Sequence, residues 1–180
     1  MVLHQIQAAY RAEEDRLLLR VSFSADDGPR QEIRAWLTRR LVKALWPAII
    51  HAMETQVALD HPHAAHARVE IVNMEHEATI SEIRAHGKFG MPFAPESYSF
   101  PFGEQPVLLT GAHISVKANQ TPRINFVSAL NGNFEITLTS SMLHGLCTLL
   151  QDAIKPADWN IELHLPGIPA EQRPEQRVLN

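Results

Sequence analysis

Four groups of residues have the types and spacing to do chemistry. The first is His61-Pro62-His63-Ala64-Ala65-His66, the tightest cluster among ten histidines. Two imidazoles two residues apart, with a third nearby, can chelate a divalent cation. The second is Arg39, Arg40 and Lys43, backed by Arg34, at the start of an expected helix. Arginines and a helix N-terminus both suit anions, phosphates included. The third is the stretch 89–102, which carries Phe89, Phe93, Tyr98, Phe100 and Phe102 among three prolines. So apolar a loop must clasp the core, line a pocket or meet a partner. The fourth is Cys147, with His144 three residues earlier.

Each group has a plainer reading. The histidine spacing is similar to the HxHxDH run of metallo-β-lactamase-type hydrolases, but Ala65 stands where that motif needs its acid. A solvated loop is therefore favoured, with a metal at His61, His63 and His66 as the chemical alternative. Cys147 lies among Leu146, Leu149 and Leu150, which suits a packed thiol better than a nucleophile. The basic run shares its unit with Glu13, Glu14, Asp15, Asp26 and Asp27, and the chain's net charge is -4. A charge-mixed, solvated face is the favoured reading there, and nucleic acid is a possible but not favoured partner. No GxSxG, P-loop, GxGxxG or HExxH occurs. No cofactor is expected, and nothing singles out a catalytic residue. Phe93, Tyr98 and Phe100 are the leading binding candidates, expected at a groove beside the first helix, with Phe89 and Phe102 as anchors.

The elements that must position these residues follow from periodicity. Ile6 to Tyr10, Leu17 to Phe23 and Ile33 to Leu37 read as strands. Thr38 can cap a helix that buries Leu41, Leu45, Ala48 and Ala52, with Pro47 bending or restarting it. The pattern then recurs. His113 to Lys117, Arg123 to Leu130 and Phe134 to Leu138 read as strands, with Asn131-Gly132 as a hairpin turn. Thr139, Ser140 or Ser141 can cap a second helix carrying Met142, Leu146, Leu149 and Ala153 inward. Between them, residues 62–86 favour a helix over two strands. Trp159 to Leu165 alternates as a final strand, and 166–180 reads as a mobile tail.

These readings give an α+β fold in one domain, residues 1–165. Two pseudo-repeated β-β-β-α units, 1–58 and 107–165, form a mostly antiparallel sheet with helices packed on it, and 59–106 connects them. Val2 to Gln7 has no basic or long apolar leader and no run suggests a membrane span, so a cytoplasmic location is expected. A single cysteine excludes an intramolecular disulfide. The last strand has no Lys and no internal Pro to blunt its edge, so a homodimer is expected.

The segments HQIQAAY, EDRLLLRVSF and EIRAWLTRRLVKALWP resemble a family of small, uncharacterised proteobacterial proteins. The resemblance covers mainly the first third of the chain and implies a bacterial source, but carries no activity or functional residues with it. At the level of architecture, tandem strand-rich units closed by helices are also similar to PUR-type and Whirly-type single-strand nucleic-acid binders. Those folds have four strands per unit and aromatics on the strands; here three are visible and the aromatics cluster in a loop. The leading functional expectation is a non-enzymatic binding or assembly module with an unidentified protein or small-molecule partner at the aromatic loop. A single-stranded nucleic-acid binder and a metal-dependent hydrolase are the alternatives.

Overall fold

The computed structural model describes residues 2–24, 29–86, 98–130 and 132–167. Phe89 and Phe93 lie outside the described residues, as do residues 168–180 of the expected tail. Within them, the chain builds the expected strand-strand-strand-helix order twice. The first unit is β1 (Val2–Arg11), β2 (Arg16–Ser24), β3 (Arg30–Leu37) and α1 (Arg39–Asp60). The second is β5 (Val107–Ser115), β6 (Arg123–Ser128), β7 (Asn133–Thr137) and α3 (Ser140–Ile154). A 3-10 turn, Pro62–Ala67, leads into α2 (Arg68–His86), and a two-residue strand, β4 (Tyr98–Ser99), precedes the second unit. The connecting segment therefore takes the helical reading over 68–86.

Alternation in the strands dictates which face is core. Leu17, Leu19, Val21 and Phe23 of β2 are buried, as are Ile33, Ala35 and Leu37 of β3 and Phe134 and Ile136 of β7. With side chains alternating across a strand, all of these point to one face, and α1 and α3 close it. Within each unit the strands pair antiparallel. The units themselves meet in parallel, where Ala35 pairs with Val107 and Trp36 with Leu108. Upstream on the same edge of β3, Arg30 pairs with Tyr98 and Gln31 with Ser99. The helices are exchanged between units, since α1 packs on β5 and α3 packs on β1. Each unit thus roofs the other's strands, which makes the short parallel seam part of a shared core.

Both helices start as their sequence dictates. Thr38 accepts from Leu41 N at 3.2 Å and Thr139 from Met142 N at 3.3 Å, each satisfying one otherwise orphaned donor. Such a cap is worth about 1 kcal/mol. The inward faces are rotated from those expected. In α1 the buried stripe runs through Leu41, Leu45, Ile49, Ala52 and Met53 while Ala48 is exposed, and in α3 Leu143, Leu146, Cys147 and Leu150 are buried while Met142 is exposed. The helix also runs through Pro47 without a break.

The final strand does not form. Trp159 to Leu165 is irregular chain, with Asn160 at a positive φ of 47°, and has no ladder partner among the described residues; Trp159, Leu163 and Leu165 are buried. Side chains take the place of the missing ladder. Trp46 Nε1 donates to His164 O at 3.0 Å, Gln151 Nε2 to Leu163 O at 2.8 Å, and Asn73 Nδ2 to Pro166 O at 2.7 Å. At its start, Trp159 Nε1 donates to Asp15 Oδ1 at 2.6 Å, and that oxygen also accepts from the Tyr10 hydroxyl. The alternation that suggests a strand instead marks buried positions, packed against the helices and, at Trp159, against the β1–β2 hairpin. The edge that suggested a homodimer is therefore not a strand edge. Pro166, expected in a mobile tail, is held by Asn73.

Candidate functional site

Opposite the helices, the second face of the sheet presents the alternate residues of each strand: Leu18 and Arg20 on β2, Arg30, Glu32, Arg34 and Trp36 on β3, Leu108 and Thr110 on β5. The hairpin register sets Arg20 directly across from Arg34. Like charges directly opposite repel, and Glu32 resolves the conflict. Arg20 donates to its carboxylate from Nε at 2.7 Å and Nη2 at 3.1 Å, and Arg34 Nε donates at 2.7 Å. Glu32 is 0% exposed, while Arg20 and Arg34 keep 24% and 30% of their side-chain surface in solvent. Burial pushes the Glu32 carboxyl up, but the two arginines outweigh it and hold it below the ordinary value. The outcome is a pair of planar cations fixed in place, with one excess positive charge between them.

Arg34 also organises the connection into the second unit. Its guanidinium lies 4.6 Å from the centroid of Phe100, and Nη1 donates to Glu104 O at 3.2 Å. Between its two short contacts with β3, the chain over 100–106 is thereby bolted to this arginine. Tyr98 and Phe100 flank Arg30 and Arg34 on the helix-free side, not in a groove beside α1. Phe102 turns the other way and packs with Phe134, centroids 6.1 Å apart. Trp36 and Leu108, cross-strand partners at the seam, extend the surface with an indole and a partly exposed leucine.

Other sequence candidates lie elsewhere. Arg39 and Arg40 are exposed at the start of α1, with Lys43 one turn on, and none joins the Arg34 cluster. His61, His63 and His66 are exposed around the 3-10 turn, and no group of three or more His, Cys, Asp or Glu able to hold a metal occurs among the described residues. The Cys147 thiol is fully buried, and burial pushes it up to about 12, leaving no thiolate near neutrality.

A further polar group sits between α2 and α3. Ser140 Oγ donates to Glu75 Oε2 at 3.3 Å, His144 Nε2 lies 3.5 Å from the same oxygen, and the His76 and His144 rings are 5.4 Å apart. The serine is bound to the Glu75 carboxylate rather than to an imidazole, so the group does not form a serine–histidine pair. Burial, helped by the neighbouring His144, pushes His76 down to about 4. His144 is lowered by burial against the opposing pull of Glu75. Burial thus disfavours the charged form of both imidazoles.

Arg34, Tyr98 and Phe100, named from the sequence as binding candidates, are brought together with Arg20, Glu32, Trp36 and Leu108, which the sequence reading did not name as candidates. The available signal was strand parity. Alternation about the buried Ile33 and Ala35 puts Glu32, Arg34 and Trp36 on one face, whereas reading along the chain had grouped Arg34 with Arg39 and Arg40. No protein-family model, curated protein or solved structure matches the chain.

Proposed function

We propose that the protein is a non-enzymatic binding module whose working surface is the helix-free face of the sheet. One observation carries this reading: the buried Glu32 holds Arg20 and Arg34 rigidly beside Trp36 and Phe100 on a face that the helices leave open. A buried carboxylate is costly to desolvate, and fixing two surface guanidiniums is what it accomplishes here.

The chemistry of the face favours single-stranded nucleic acid as a second, more specific reading. Planar cations meet phosphates and stack on bases, and indole or phenyl rings stack on bases without regard to sequence. The chain's net charge of -4 conceals an uneven distribution. Arg20, Arg30, Arg34 and Arg123 share the open face with Glu32 and Glu135, whereas α2 in the helix layer carries Glu70, Glu75, Glu77 and Glu82 against Arg68 and Arg84. Fluorescence anisotropy with a labelled oligothymidylate tests both readings. Binding should weaken steeply between low and high salt, since displaced counterions set the slope. Trp36→Ala should weaken it about tenfold or more. Salt-independent binding would leave the module reading and remove the nucleic-acid one. Binding indifferent to Trp36 would remove the proposed surface.

A further inference from the structure

At the parallel seam, where the end of β3 turns into α1, a cavity of about 330 Å3 opens between the helix and β5. Its walls are apolar, from Leu41 and Ala44 of α1 and Leu108 and Leu109 of β5, and its polar groups are Thr38, Thr110 and Arg40. The volume lies at the small end of ligand sites and holds on the order of ten non-hydrogen atoms. Its origin is local. The β3–β5 ladder is only two residue pairs long, and β5 shifts register between Leu109 and Gly111, beside the cavity wall formed by Leu108, Leu109 and Thr110.

The charges at its mouth are unusual for a helix start. Cations are disfavoured in a first turn, where the backbone dipole is already positive. Yet α1 opens with Arg39 and Arg40, has no acidic residue in its first turn, and adds Lys43 one turn later. Arg39 acts on Asp15, but Arg40 and Lys43 engage no described residue. At i and i+3 they share one side of the helix, with Ala44 below them. The Thr38 hydroxyl, which accepts from Leu41 N, still has its proton to donate. Arg40 thus lines the apolar recess and Lys43 adjoins it on the same side of the helix, neither with a counter-charge among the described residues.

We infer that this cavity binds a phosphate monoester carrying a small apolar group. The phosphate meets Arg40, Lys43 and the Thr38 hydroxyl, while the apolar group lies against Leu41, Leu108 and Leu109. Two adjacent cations match a dianionic head better than a single carboxylate. This site shares Leu108 with the sheet-face surface but none of Arg20, Glu32, Arg34, Trp36 or Phe100, so its failure leaves the sheet-face reading standing.

Isothermal titration calorimetry with phenyl phosphate tests it, beside inorganic phosphate, benzoate and benzyl alcohol. Phenyl phosphate should bind the wild type at least about tenfold tighter than each of the other three. Arg40→Ala and Leu108→Gln should each weaken it about tenfold or more. Both side chains are exposed, so folding should survive; Arg40→Gln, which keeps the aliphatic stem, serves if thermal melts show otherwise. Absence of heat at millimolar phenyl phosphate, equal affinity for inorganic phosphate, or an Arg40 variant that binds like wild type would each overturn the assignment.

Discussion

Glu32 shows how one residue can set the properties of a surface. Its carboxylate is buried, accepts from both Arg20 and Arg34, and is held below its ordinary value. Glu32→Gln should destabilise the fold by about 3 kcal/mol, the low end for breaking a buried pair, because both arginines retain access to water. Urea denaturation at pH 7 measures it. The histidines between α2 and α3 give a second prediction. His76 has a folded value near 4 against 6.5 for the free group, so the unfolded chain takes up its proton first. Stability is then full above pH 6.5 and falls as pH drops from 6.5 to about 4, with His144 acting in the same direction. Urea midpoints across that range should decline, and His76→Leu should flatten the decline. An unchanged slope in the variant would place the acid sensitivity elsewhere. Neither role is visible along the chain. Glu32 needs the hairpin register to meet Arg20, and His76 needs α2 to pack on α3 to meet His144, 68 residues further along the chain.

At the scale of elements, most of the fold was legible because periodicity reports burial directly. β2, β3 and β7 follow from alternation, the helix over 68–86 from its spacing, and both helix starts from Thr38 and Thr139. What periodicity does not report is the partner. Trp159, Ile161, Leu163 and Leu165 alternate as a strand would, yet the segment joins no ladder among the described residues; it is tied by Trp46, Gln151 and Asn73, and Trp159 sits on the β1–β2 hairpin. The rotated faces of α1 and α3 have a related cause. Ala48 and Met142 match a helical stripe by spacing, but the crossed packing of each helix over the other unit's strand selects a neighbouring stripe. The docked segment should matter to stability as much as a strand does. Trp159 is 2% exposed, packs edge-on to Tyr10 at 5.9 Å and donates to Asp15. Trp159→Ala should cost about 3–5 kcal/mol. A thermal melt within a few degrees of wild type would show that the segment is only loosely laid on the helices.

The whole molecule is a sheet with a division of labour between its faces. One face and the helices make a continuous core from Leu17 and Leu19 through Ile49 and Phe126 to Leu138 and Leu150, all nearly or fully buried. The other is left to Arg20, Glu32, Arg34, Trp36 and Phe100, whose ordering serves no core. Among the described residues no helix is long and apolar enough to cross a membrane. The exchange of α1 and α3 between units ties the two halves together across the central seam, so the open face runs through both units as one sheet. The most direct test is to map amide chemical shifts by NMR during titration with an oligothymidylate. The account predicts that the largest changes fall on β2, β3 and the start of β5, around Arg20, Arg34, Trp36 and Leu108, and are lost in Trp36→Ala. No shifts at all, or shifts confined to α2 and α3, would contradict it.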